Sequence, residues 1–313
     1  MQDLSTAFTN GKLARSLFGT LHRFFLPLLL CVIFDLSHVA YCENQEKPTW
    51  VNWQNYMIGA TGAGMPDTTL PHPAQKQYTV KKAREKAVEL LLGAVESLNL
   101  TSSMTVEDTM ASDSLLASKV EGIVKKAEEV DIRYMSDLSV EVDIQLPLTG
   151  KLANQLLPAG GGGKPVPIDS LHCPLCGQPW PPDRPFPKYL FSLAAFSSQQ
   201  YTGLVVDAQG LGVQPALAPA ILSEEGHQVY GMGFVDREVA VSEGVVKYSK
   251  DLQQAIKDRR VGQNPLVVKG LRATGPRRTD VTIPNATAMI LHHSENNLKF
   301  LRQGKVIVVL DKD

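Results

Sequence analysis

From position 138 to 146 apolar and polar residues alternate without a break. Leu138, Val140, Val142, Ile144 and Leu146 fall on one face, and Ser139, Glu141, Asp143 and Gln145 on the other. A period of two belongs to a strand with one dry and one wet face. The run 130–135 followed by Ser136-Asp137 makes it the second strand of a hairpin. Upstream the period changes. Ala83, Ala87, Leu90, Leu91, Ala94, Val95 and Leu98 recur at helical spacing from about Thr79, while Lys81, Lys82, Arg84, Glu85, Lys86 and Glu89 lie mostly opposite. Asp113 is placed to cap a second helix with Leu116, Val120, Ile123, Val124 and Ala127 as its buried stripe. Residues 51–60 read as a strand running into a Gly-rich turn at 59–64. Two helices over the dry face of a small antiparallel sheet make an α+β unit.

The downstream half is richer in strands. Residues 201–207 and 305–310 are short apolar runs suited to central strands, and 266–269 and 281–283 are further strands. The Glu225-Gly226 pair predicts a turn between 220–222 and 228–230. Helices are expected over 251–259 and 285–292. Between the halves, residues 158–187 are dense in Pro and Gly and include the run Gly160-Gly-Gly-Gly163, which reads as a flexible linker. The fold class is therefore α+β: a small two-helix antiparallel-sheet domain over 43–150, a linker over 151–188, and a second mixed α/β domain over 189–313.

The first 42 residues read as a signal segment. Lys12, Arg15 and Arg23 precede the apolar run at 24–34, and 35–42 is a short polar exit. A spanning helix needs about 20 apolar residues, whereas a secretory signal has a centre of about 7–15. The run fits the second. Export is the reading, and a buried cytosolic helix is the alternative that Pro27 and the flanking cations disfavour.

A net charge of −1 carries no long-range field that would point to nucleic acid or an anionic membrane. With four cysteines in 313 residues, one of them inside the signal, the chain is not a disulfide scaffold. The sharpest chemical motif is His172-Cys173-Pro-Leu-Cys176-Gly177. Two thiolates at this spacing present both sulfurs to one zinc ion, but a structural site needs four ligands and the chain has one such knuckle. Cys173 and Cys176 are thus a zinc half-site, with His172, Cys42, His227, His292 and His293 or a second subunit as sources of the rest. A local disulfide or free structural thiols, and redox catalysis, stay open beside it.

Other motifs carry less. Gly203, Gly210 and Gly212 lie about the strand-like run 204–206, but Gly210-Leu-Gly212 has no third glycine at the dinucleotide-loop spacing and Pro215 would break the receiving helix, so a tight turn is expected. Asp207, Asp280 and Asp311 lie at strand edges, where aspartate usually shapes turns. His292-His293 ends a helix and is expected to be solvated or to serve the helix end. Trp53 is expected to cover its own core. No nucleophile-elbow, zinc-protease or P-loop motif is present, which lowers the expectation of an enzyme.

The order Trp53-Gln-Asn-Tyr-Met-Ile-Gly-Ala-Thr-Gly-Ala-Gly-Met-Pro66, an Ala-rich helix and Tyr134-Met-Ser-Asp-Leu-Ser-Val-Glu-Val-Asp-Ile-Gln-Leu-Pro-Leu-Thr-Gly150 resembles the FlgP-like bacterial envelope lipoproteins. Residues 201–216 resemble the distal region of that family's longer members. The resemblance implies a non-enzymatic protein of the periplasm or outer membrane, assembling as a homo-oligomer into a ring or disk at the flagellar motor. It also makes Cys42 the position for lipid attachment. Tyr41 departs from the small residue that normally precedes such a cysteine, which points to a soluble form. The alternatives are a periplasmic thiol- or zinc-dependent enzyme centred on Cys173 and Cys176, and a monomeric envelope binding module.

Overall fold

Gly62 and Gly64 are strand residues whose missing side chains let a helix lie directly on a sheet. A Cβ at Gly62 would overlap the backbone of Ala83 and Ala87, and one at Gly64 would overlap that of Thr79 and Ala83. The computed structural model describes residues 48–164, 181, 184 and 200–312. In it β1 (Thr49–Asn52) turns at 53–56 into β2 (Met57–Gly64), and α1 (His72–Glu96) crosses β2 on its Ala83–Ala87–Leu91 stripe. The expected Gly-rich turn at 59–64 is thus corrected to strand. Glycine there serves close packing, not chain reversal.

The helix also starts earlier than its apolar stripe, because Pro71 and Pro73 fix its first turn and Gln75 and Thr79 are already buried. α2 (Val106–Ser112) follows, opened by a reciprocal cap in which Thr105 and Asp108 hydrogen bond each other's backbone. α3 (Ser114–Val124) begins as expected, with the Asp113 carboxylate accepting the N–H groups of Leu115 and Leu116. β3 (Glu128–Tyr134) and β4 (Val140–Pro147) form the expected hairpin, and the sheet order is β1-β2-β4-β3, antiparallel throughout. The alternation holds from Val140 to Leu146. Leu138 departs from it: it sits in the turn at φ 67° and is exposed.

Ordered structure runs past Gly150. Residues 151–156, placed in the linker from sequence, form α4 (Lys151–Leu156), whose Leu152, Ala153 and Leu156 are buried. Its stripe is only one and a half turns long, too short to show as a period. Within the glycine run, the N–H groups of Gly161 and Gly163 donate to the carbonyls of Met232 and Gly233 at 2.9 Å. The second half opens with β5 (Gly203–Asp207), β6 (Ile221–Leu222) and β7 (Gln228–Tyr230), and β6 and β7 pair around Gly226 as expected. Next come α5 (Arg237–Glu243), β8 (Lys247–Ser249), α6 (Leu252–Ile256), β9 (Pro265–Lys269), β10 (Arg272–Thr274) and β11 (Asp280–Thr282). α7 (Asn285–His293), α8 (Glu295–Arg302) and β12 (Val306–Val309) complete it.

These strands make two further sheets. One is parallel, in the order β8-β12-β5-β9, and the other is mixed, in the order β10-β11-β6-β7. β5 and β12 are apolar on both faces because both are covered. Leu204, Val206, Val306 and Val308 join the main core, while Val205, Ile307 and Val309 pack with Ala255 and Val261 on the α6 side. The main core is continuous between the halves: Ile58, Leu91 and Ile144 belong to the same cluster as Leu204, Tyr230 and Tyr248. The described residues belong to one compact unit. No helix among the described residues is long and apolar enough to cross a membrane.

Candidate functional site

Two surfaces have the shape or composition of a working site. The first is a crevice of about 510 Å³ at the carboxyl ends of β5, β8 and β12, closed on one side by the β1–β2 turn. Ligands of open parallel sheets bind at this end of the strands. Trp53 lines the crevice and stands edge-on to Tyr56 and Tyr248, with ring centres 6.1 and 5.8 Å away. As expected, Trp53 packs against the core. Gln54, Gln214, Ser249 and Lys250 supply polar lining.

The acidic groups here are consumed by the scaffold. Asp311 accepts the N–H groups of Gly210 and Gly212, the latter at 2.9 Å. Both glycines are at positive φ, so their amides converge on one carboxylate. The expected tight turn is there, and the C-terminal aspartate is what holds it. Asp207 accepts the N–H of Gln209 at 3.1 Å and pairs with Lys269 at 3.1 Å. Asp280 accepts the N–H of Ala220 at 2.9 Å. Each strand-end aspartate therefore shapes the chain, and no two of them share a described pocket.

Three buried tyrosines lie close by, of which Tyr248 lines the crevice itself. Tyr56 donates to the Val246 carbonyl, Tyr230 to that of Val245 at 2.5 Å, and Tyr248 to that of Ala216 at 3.0 Å. Burial raises the pKa of all three, so they are neutral phenols under physiological conditions. Their hydroxyls join separate chain segments.

The second surface is the outer face of the β1–β4 sheet, opposite α1. Trp50 lies over Gly59, where a Cβ would come within 2.5 Å of the indole. Further along, Arg133 is held between Asp143 and Glu141, with the second Asp143 contact at 3.0 Å and the Glu141 contacts at 3.1 Å. Hydrogen bonds to Asp143 and Glu141 raise the Arg133 pKa. Burial works against charge on Asp143, but hydrogen bonds from Arg133 and Thr61 hold its carboxyl below the usual range. No other layer covers this face among the described residues. Trp50 is 45% exposed on edge strand β1, and Val51 beside it is also exposed. The other edge, β3, is blunted by a bulge at Val130.

Of the residues singled out in the sequence, Cys42, Cys173, Cys176 and His172 lie outside the described residues. No cluster of His, Cys, Asp and Glu able to hold a metal occurs among the described residues. His292 is corrected from a solvated to a buried position. Its Nε2 sits 2.7 Å from the Val229 carbonyl, and its ring packs on Phe234. Burial lowers its pKa, while the Val229 contact works the other way. The uncovered sheet face is the wet side of the 138–146 alternation; the sequence reading does not place Trp50 and Arg133 on it.

Residues 203–312 match the family model described as Treponema pallidum Tp0624, second domain. The Tp0624-like region takes in β5 to β12 and leaves the β1–β4 sheet outside it. It therefore contains the strand ends of the crevice but not Trp53, which closes it. No curated protein matches the chain.

Proposed function

We propose that this chain is an exported, non-enzymatic protein of the bacterial envelope that works by assembling with copies of itself. The finer reading, from its resemblance to FlgP-like proteins, is a part of a ring or disk at the flagellar motor, in the periplasm or at the outer membrane. The observation that supports assembly is β1. Among the described residues it is an edge strand paired on one side only, it carries no bulge, charge or proline, and it presents Trp50 and Val51 to solvent. Soluble monomers normally blunt such an edge, and aromatic residues are favoured anchors at interfaces. A ring follows when the β1 edge of one copy meets a different surface of the next, head to tail, and the rotation closes; edge meeting edge gives a two-fold dimer.

Sedimentation of the purified mature protein tests this. A concentration-dependent oligomer is expected, lost in Trp50→Glu/Val51→Lys while circular dichroism and melting temperature are kept. A monomer at every concentration would overturn the reading. A monomeric binding module is the second reading, and the crevice around Trp53 favours it.

A further inference from the structure

A further groove lies elsewhere, between α3 and α4 over the end of β4, with a volume of about 820 Å³. Its walls are two helix faces. Lys119 and Gly122 lie one turn apart on α3 and Lys126 in the turn just after it, so both lysines stand on the same wall. Lys151, Asn154 and Gln155 stand at i, i+3 and i+4 on α4, so one face of that helix supplies the opposite wall. Gly122 and Gly150 have open space where a Cβ would be, so the backbone of both walls is approachable.

The charge around this groove is unbalanced. Three lysines line it against one carboxylate, Glu128, which is in contact with the Gln145 amide at 3.5 Å. None of the three makes an ion pair among the described residues. Glu121, the nearest acid on α3, is drawn away by its own pair with Lys125 at 3.3 Å. Like charges facing one another across a concave surface repel, and the potential they focus there is relieved by a bound anion. A flat surface would meet the rim only. A compact molecule with several oxyanionic groups reaches both walls, with the amides of Asn154 and Gln155 as further donors.

We propose that this groove binds a small ligand bearing two or more oxyanionic groups, phosphate or carboxylate, clamped between Lys119 and Lys126 on one side and Lys151 on the other. The site is separate from the β1 edge and does not rest on the assembly reading.

Calorimetric titration of the full chain with tripolyphosphate and, in a second arm, citrate tests it, at low and at moderate salt. Saturable binding that weakens with salt is expected in at least one arm. A response to tripolyphosphate alone assigns phosphate, and one to citrate alone assigns carboxylate. Lys119→Ala/Lys126→Ala/Lys151→Ala should weaken binding by roughly tenfold or more. The control Lys81→Ala/Lys257→Ala/Lys299→Ala, which removes the same charge elsewhere, should leave it unchanged. No saturable binding in either arm, or equal weakening by the two triple variants, would overturn the proposal. Circular dichroism of each variant separates lost binding from lost fold.

Discussion

The Tyr56 hydroxyl donates a hydrogen bond to the Val246 carbonyl, joining the first sheet to the start of β8 across 190 positions of sequence. Tyr56 is held in a turn at φ 52°, and its ring rests on Gly244, where a Cβ would come within 2.7 Å. Removing the hydroxyl in Tyr56→Phe leaves the buried Val246 carbonyl unpaired, at a cost of about 1–3 kcal/mol. Chemical denaturation should show one transition with a lower midpoint and an unchanged slope. Two separated transitions would mean that the halves do not unfold together.

Two glycines near α1 should respond to alanine in opposite directions. Gly62→Ala puts a methyl into the backbone of α1 and should cost about 1–3 kcal/mol or prevent folding. Gly93→Ala lies on the exposed side of the same helix with nothing within 4 Å, and should stabilise by about 0.5–1 kcal/mol. Melting temperatures of the two variants, measured side by side, check this.

His292 makes stability fall in mildly acidic solution. Its folded pKa lies below the ordinary 6.5, so the unfolded chain takes up a proton first as pH drops. The contribution is complete above about 6.5 and is lost as pH falls from there toward the depressed value. His292→Gln should flatten the stability profile in that window. It should leave intact the loss at lower pH, where carboxylates such as Asp108, held down by hydrogen bonds from Thr105, are protonated. An unchanged slope between neutral pH and the carboxylate range would contradict this account.

Asp311→Asn should loosen the 208–214 turn without unfolding the protein. The carboxylate accepts two backbone N–H groups, and the neutral amide keeps one acceptor oxygen. Faster hydrogen exchange at Gly210 and Gly212, with little change at Leu204 and Val206, is the expected result.

Sequence period revealed the elements where a single face was buried over several turns or residues. The Val140–Leu146 alternation and the Ala83–Val95 stripe are of that kind, and Asp113 marked its helix start correctly. Short elements escaped. α4 exposes too little of a period to read, and β8 at three residues gives none. Gly59–Gly64 misled for a physical reason: glycine marks both a turn and a place where two backbones nearly touch, and only the position of α1 decides between them. The turn at Gly210 and Gly212 is legible in sequence but the hold of Asp311 on it is not, because the carboxylate is about a hundred positions away. The oxyanion groove was equally hidden. Its lysines are ordinary surface residues in sequence and face one another only once α3 and α4 are packed.

The position of β12 has a consequence for the order in which the molecule is made. It pairs with β5 on one side and β8 on the other, yet it follows both in the chain by dozens of residues. A ribosome that has synthesised everything through α8 has released β5, β8 and β9, but the slot between β5 and β8 is still empty. Pairing of such distant strands is slow, because loop closure precedes any gain from contact. A nascent chain stopped before Val306 can pair β5 with β9 but has nothing to join β8 to them, so the parallel sheet closes only when β12 arrives.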